Sequence, residues 1–308
     1  MRKILLIILS LICIKVSAQL TSYRLPVNNT MNLYHIRTIV QDSVGFIWLG
    51  SSNGLYRFDG YNYQRIQEPR LSGLLPDESI AKLENWGNRY LWIQVRGSRY
   101  ACYDIETDRF VSWNGCTPNS LSYRRNVITG DRDLWLYDNQ RGCRHVHHDG
   151  NGNFKNDDYT EENKALPSNH VHFIIQQSDG KAWIGTEKGL VQISHGKARV
   201  VVADKNFTCA QLSSDNSCYF ITQQGTIFHS KDNRVIAEHS PQDFNYHVRN
   251  MAIERGMLII TTDGPTMGYD LKTRELLPHP RIHIEKAQIV TDNKGQKVVF
   301  DHDGQEVW

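Results

Sequence analysis

The sequence predicts an all-β fold assembled from seven copies of one four-stranded antiparallel unit. Three observations carry this expectation: a long-range internal repeat, strand and turn signals inside each unit, and no helical periodicity of useful length. The repeat is plainest in two stretches 135 residues apart. Gly45, Trp48, Gly50, Gly54 and Leu55 of "GFIWLGSSNGL" fall on Gly180, Trp183, Gly185, Gly189 and Leu190 of "GKAWIGTEKGL". The approach also matches, with Gln41 and Ser43 falling on Gln176 and Ser178. Weaker copies centre on Trp92, Trp135, Tyr219, Ile259 and Val298, and successive landmarks from Trp48 are 44, 43, 48, 36, 40 and 39 residues apart.

Within the first unit each element has a local cause. "IRTIVQ" is rich in β-branched residues, "DSVG" is a turn, "FIWLG" is an apolar strand and "SSNG" is a second turn. "LYRF" is a third strand, and "YNYQRI" after Asp59-Gly60 alternates as a fourth. Asp42 is placed to fold its carboxylate back onto turn amides, while Gly45 and Gly54 supply the positive φ that closes such turns. The remaining repeat glycines read as turn residues of the same kind. Trp48, Trp92, Trp135 and Trp183 occupy equivalent second-strand positions, so they read as packing between units rather than ligand stacking.

One such meander cannot bury both of its faces alone, and seven in tandem at about forty residues are the signature of a β-propeller. The expected organisation is a signal peptide at residues 1–18 and a single seven-bladed propeller at 19–308. The segment Thr21 to Val27 is expected to supply the fourth strand of the last blade and so remove an open sheet edge. Residues 1–18 combine Arg2 and Lys3, an apolar run from Ile4 to Ile14, and small residues up to Ala18, the pattern of a cleaved secretory signal. No later stretch has the length and apolarity of a membrane-spanning helix.

Removing the leader leaves 32 Lys and Arg against 33 Asp and Glu, a near-neutral chain without a basic stripe, which argues against a nucleic-acid partner. Five cysteines remain, none with C-x-x-C spacing. They read mostly as small apolar fillers, with a Cys209–Cys218 bridge as the exception. There is no G-x-S-x-G elbow, no H-E-x-x-H and no phosphate loop, so no catalytic residue, metal ligand or cofactor is assigned. His145 and His147 of "HVHHD" would share one face of a strand, which makes a metal site conceivable. Their expected place, just after a third strand and toward the outer edge, favours solvated histidines. His170 and His172 enter a first strand near the channel with no partners assigned. The polar run "HDGNGNFKNDDYTEENK" reads as a long surface loop. If a small molecule binds, the propeller mouth is the expected place, with Asn53, Arg96, Tyr137, Glu187 and Asp263 on the turns after second strands and Tyr34 and Tyr246 on the loops entering first strands.

The pattern "IRTIVQDSVGFIWLGSSNGLYRFDGYNYQRI" resembles the two-component regulator propeller repeat, found in the periplasmic sensor regions of hybrid two-component systems of Bacteroides-type bacteria. "LWIQVRGSRYACYDIETDRFVSW" is similar to the second blade of those sensors. The resemblance spans the mature chain and is strongest in units one, two and four. It implies a periplasmic, non-enzymatic glycan sensor whose family plan continues into a second propeller, a β-sandwich, a membrane helix, a histidine kinase, a receiver and a DNA-binding domain. Because no such segments follow here, the expectation is a truncated or split sensor, or a free-standing propeller. The expected partners are an oligosaccharide, a second propeller or other sensor domains, or a second copy in a homodimer. The rival readings are a propeller enzyme such as a metal-dependent lyase, and an interaction scaffold without a ligand.

Overall fold

The computed structural model describes residues 35–66, 79–96, 99–111, 125–149, 151–231, 234–240, 245–277, 288–291 and 297–300. These residues form six four-stranded antiparallel sheets and one two-stranded sheet, each four-stranded sheet a meander in chain order. Blade one is β1 (Ile36–Gln41), β2 (Ile47–Ser51), β3 (Gly54–Phe58) and β4 (Tyr63–Arg65). Blade two is β5 (Ile80–Trp86), β6 (Tyr90–Val95), β7 (Arg99–Asp104) and β8 (Arg109–Phe110). Blade three is β9 (Arg125–Ile128), β10 (Asp133–Tyr137), β11 (Cys143–His148) and β12 (Phe154–Tyr159). Blade four is β13 (Val171–Gln176), β14 (Ala182–Thr186), β15 (Gly189–Ser194) and β16 (Lys197–Ala203). Blade five is β17 (Phe207–Leu212), β18 (Cys218–Thr222), β19 (Ile227–Lys231) and β20 (Arg234–His239). Blade six is β21 (Val248–Glu254), β22 (Met257–Thr262), β23 (Met267–Asp270) and β24 (Leu276–Leu277). The hairpin β25 (Gln288–Thr291) with β26 (Lys297–Phe300) follows.

The all-β propeller architecture is therefore as the repeat predicts, but among the described residues the complete four-stranded blades number six rather than seven. The seventh unit contributes only the β25–β26 hairpin among the described residues. The signal segment and the closing strand Thr21 to Val27 lie outside the described residues. Among the described residues no helix is long and apolar enough to cross a membrane.

Second-strand side chains fill the spaces between blades. Trp48 packs with Leu83, Leu91 and Ile93 of blade two, and Trp92 with Leu134 and Val146 of blade three. Trp135 packs with Ile174 and Ile184 of blade four, Trp183 with Phe220 of blade five, and Tyr219 with Leu258 and Ile260 of blade six. All four tryptophans are almost completely buried. Each buried indole also needs an acceptor for its N–H. Asp42 meets this need in blade one while closing its turn: Oδ1 accepts from the amides of Val44, Gly45 and Phe46 at 3.0, 2.8 and 2.9 Å, and Oδ2 accepts from Trp48 Nε1 at 2.7 Å. Glutamine takes this role for two of the others, with Trp183 Nε1 donating to Gln177 Oε1 and Trp135 Nε1 to Gln176 Oε1, both at 2.9 Å.

Several expectations are corrected. Gly45 and Gly180 do close turns, at φ of 106° and 81°. Gly50 and Gly185 instead lie inside β2 and β14, where a Cβ would strike Thr38 and Ile80 in one case and the Phe173 ring in the other. Close approach, not turn geometry, requires glycine there. The expected surface loop contains β12, which pairs with β11 from Cys143↔Tyr159 to His148↔Phe154. The histidines of "HVHHD" accordingly sit on the third strand itself. Cys209 and Cys218 are both free thiols, because the β17–β18 register sets Cys209 opposite Ile221 and Cys218 opposite Leu212. A recurring feature escaped the sequence: β1, β5, β13, β17 and β21 each shift register near their first residue. Such an irregularity bends a strand where it enters the sheet.

Replacing Asp42 with Ala strands three turn amides and a buried indole N–H. We expect a loss of about 2–3 kcal/mol in unfolding free energy, read from the urea midpoint. Gly185→Ala is expected to cost about 1–3 kcal/mol by overpacking against Phe173, in the same assay.

Candidate functional site

One face of the molecule carries the turns after second strands and the entries into first strands. Between blades three and four this face opens into a cavity of about 300 Å³ lined by Arg125, Asp138, Asn139, His170, Val171 and His172. The backbone fixes its walls. Val171 N–H donates to the Asp138 carbonyl at 3.0 Å, and Gly142 N–H donates to the Asn169 carbonyl at 3.0 Å, locking the entry of β13 onto the β10–β11 turn. The turn is itself shaped by Asp138, whose Oδ1 accepts from the amides of Gln140 and Arg141 at 2.8 and 2.7 Å. Arg125, the first residue of β9, reaches across the blade gap and donates from Nη1 to the His172 carbonyl at 3.0 Å.

The cavity side chains combine flat rings with charge. The His170 and His172 rings stack 5.2 Å apart at 16°. His170 Nδ1 lies 3.3 Å from Glu187 Oε2. His172 Nε2 is buried without a hydrogen-bond partner. Burial pushes the His172 pKa below the usual histidine range, with nearby His170 and Arg125 acting in the same direction. Tyr137 pairs with Arg125 across the β10–β9 ladder; burial raises its pKa and Arg125 opposes that rise. The ensemble offers planar donors, an unpaired imidazole nitrogen, a carboxylate and ring faces, a set that suits a neutral polyhydroxylated ligand better than an apolar one.

Of the residues expected at the mouth, Glu187 and Tyr137 flank this cavity. Asn53 is engaged in its own turn, its Oδ1 accepting from Ser51 Oγ at 2.6 Å. Arg96 is exposed at the end of β6, where its amide donates to the Ser79 carbonyl. Tyr246 and Asp263 meet near blade six: Asp263 Oδ1 accepts from the His247 amide at 2.8 Å, and the Tyr246 ring lies against Gly264. Tyr34 lies outside the described residues. Arg125, Asp138 and Asn139 were missed, and His170 and His172 were noted without partners. The alternation His170-x-His172 was the available signal, since it sets both rings on one side of a strand. A second, polar cleft of about 280 Å³ lies on the opposite face between blades four and five, with Gln177, Lys181, Asp215 and Lys231 in its wall.

The architecture defines a β-propeller, and among solved structures the chain resembles the Dos1 propeller. That match has 15% identity and a TM-score of 0.54, over 88% of this chain and 80% of that one. Residues 165–188, the stretch that carries His170, His172 and Glu187, match the family described as two component regulator propeller, so the chain carries that repeat. The fold also resembles the extracellular domain of BT4673 from B. thetaiotaomicron, described once as a one component system and once as a hybrid two component system. The two structures are 20% and 19% identical to this chain, each with a TM-score of 0.50, over 87% and 90% of it. The chain spans only 37% and 38% of their lengths. No curated protein matches the chain in sequence.

The half-buried His172 sets a pH dependence whose sign is fixed. The folded state holds the ring neutral, while the unfolded chain takes up a proton near pH 6.5. Stability is therefore full above that value and declines as pH falls from 6.5 toward the lowered folded-state pKa. Denaturant titrations at a series of pH values are expected to show this decline, and His172→Gln is expected to make it shallower.

Proposed function

We propose that the chain is a periplasmic sensing propeller of a hybrid two-component signalling system, and that it binds an oligosaccharide in the blade three–four mouth without transforming it. The observation that carries the reading is the cavity lined by Arg125, Asp138, Asn139, His170, Val171 and His172, the last a ring whose Nε2 is shielded from solvent and without a hydrogen-bond partner. A buried polar atom without a partner is costly unless something supplies a hydrogen bond, and a sugar hydroxyl can donate or accept. Histidine rings and the Arg125 plane give flat surfaces for a pyranose, and Glu187 holds the orientation of His170. The regulator propeller repeat in residues 165–188, and the description of BT4673 as a component-system extracellular domain, support the sensing role. In this reading the mouth supplies affinity, and the transmitting parts belong to other domains or chains, including a second propeller or a second copy.

Calorimetric titration of the mature chain against an oligosaccharide panel tests the proposal, with the recovered sugars weighed by mass spectrometry. The expected result is saturable binding of at least one oligosaccharide, returned at unchanged mass. Arg125→Ala or His172→Phe is expected to weaken it about tenfold, the loss of roughly one hydrogen bond. Binding indifferent to both substitutions, or none across the panel, would refute the reading; cleaved sugars would replace it with an enzymatic one.

A further inference from the structure

Blade three also carries a constellation far from the mouth end of its strands. His145 and His147 lie on the same face of β11. The register sets Asp157 of β12 directly opposite His145, and Asp133 of β10 directly opposite His147. One ligand atom from each of His145, His147 and Asp157 lies within 4.8 Å of the other two, and His147 Nδ1 is 3.8 Å from Asp157 Oδ2. Zinc bound at roughly 2.0–2.2 Å from nitrogen and oxygen in tetrahedral geometry separates its ligands by about 3.3–3.5 Å. Side-chain rotations that draw the three ligand atoms in from their spacing of up to 4.8 Å would close the cluster to that geometry.

We propose that His145, His147 and Asp157 form a divalent zinc site on the outer part of blade three. Three features beyond proximity favour it. The Nδ1 of His147 is shielded from solvent and makes no hydrogen bond, so its lone pair or proton lacks the partner that a buried ring nitrogen normally has. The His145 ring is held in place by a stack on the buried Trp135, with centroids 4.2 Å apart and planes at 9°. Its Nε2 contacts Asp133 Oδ1 at 2.8 Å, the outer carboxylate that commonly orients a ligating imidazole. The donor set of two imidazoles and one carboxylate suits zinc better than calcium or magnesium, which prefer oxygen alone. Access is open on one side, since the Asp157 side chain is 51% exposed and that of His147 33%. Lys155, opposite His147, is exposed. Asp158, the neighbouring acid, is already engaged by Arg144 and does not compete. With the ion bound, β11 and β12 are tied together at a place where their pairing otherwise rests on a polar strand.

The test is zinc titration of the metal-free mature chain by calorimetry, with cobalt absorption as a second readout and thermal unfolding as a third. We expect one zinc per chain, a cobalt spectrum in the tetrahedral range, and a rise in melting temperature reversed by chelator. His147→Gln, at a half-exposed position, should abolish stoichiometric uptake. Asp133→Asn should weaken it roughly 10–100-fold. His170→Gln, in the mouth, should leave it unchanged. Uptake that survives His147→Gln, or that is lost with His170→Gln, would overturn the assignment, as would the lack of stoichiometric binding by the wild-type chain.

Discussion

Everything else in this molecule depends on the burial of one side chain per blade against the next blade. A four-stranded meander has two faces and too little material to cover either, so it is stable only when neighbouring sheets cover it. Trp48, Trp92, Trp135, Trp183 and Tyr219 each occupy the same second-strand position, and each enters the core shared with the following blade. Polar requirements of that burial are met within the blade for Trp48 and Trp183 and from the next blade for Trp135. Asp42, Gln176 and Gln177 accept from indole nitrogens, so Trp48, Trp135 and Trp183 bury their rings without stranding a donor.

The same constraint builds the mouth. Packing Trp135 against Ile174 and Ile184 sets the distance between blades three and four, and the backbone bonds from Val171 to Asp138 and from Gly142 to Asn169 then fix the cavity rim. Arg125 and His172 meet across the gap because their strands are neighbours in space, although 47 residues separate them. The strand β10 connects two chemically distinct ends: Tyr137 and Asp138 belong to the mouth, while Asp133 faces the histidines of β11. Blade three thus carries polar chemistry at both ends of β10 on a frame held by its apolar faces.

Much of this frame was legible in the sequence because it repeats. The period, the second-strand tryptophans and the Asp42 turn all follow from residue type and spacing. Gly50 and Gly185 were misread because a glycine that admits a neighbour's side chain looks the same in sequence as one that needs positive φ. The strand β12 was hidden because "FKNDDY" has hardly any apolar face, its pairing being supplied by β11. At the mouth, Tyr137 and Glu187 lie beside the cavity because the turns after second strands converge there. Arg125 and Asp138 were not singled out, since which blade gap opens into a cavity is decided by packing between units.

The central claim, that ligand recognition sits in the blade three–four mouth, is tested most directly by hydrogen exchange of the mature chain with and without a bound oligosaccharide. The account predicts slowed exchange confined to β9, the β10–β11 turn and residues 168–172, with the opposite-face cleft at Gln177, Asp215 and Asn216 unchanged. Protection at that cleft, or on the Tyr246–Asp263 side with blades three and four unaffected, would contradict it.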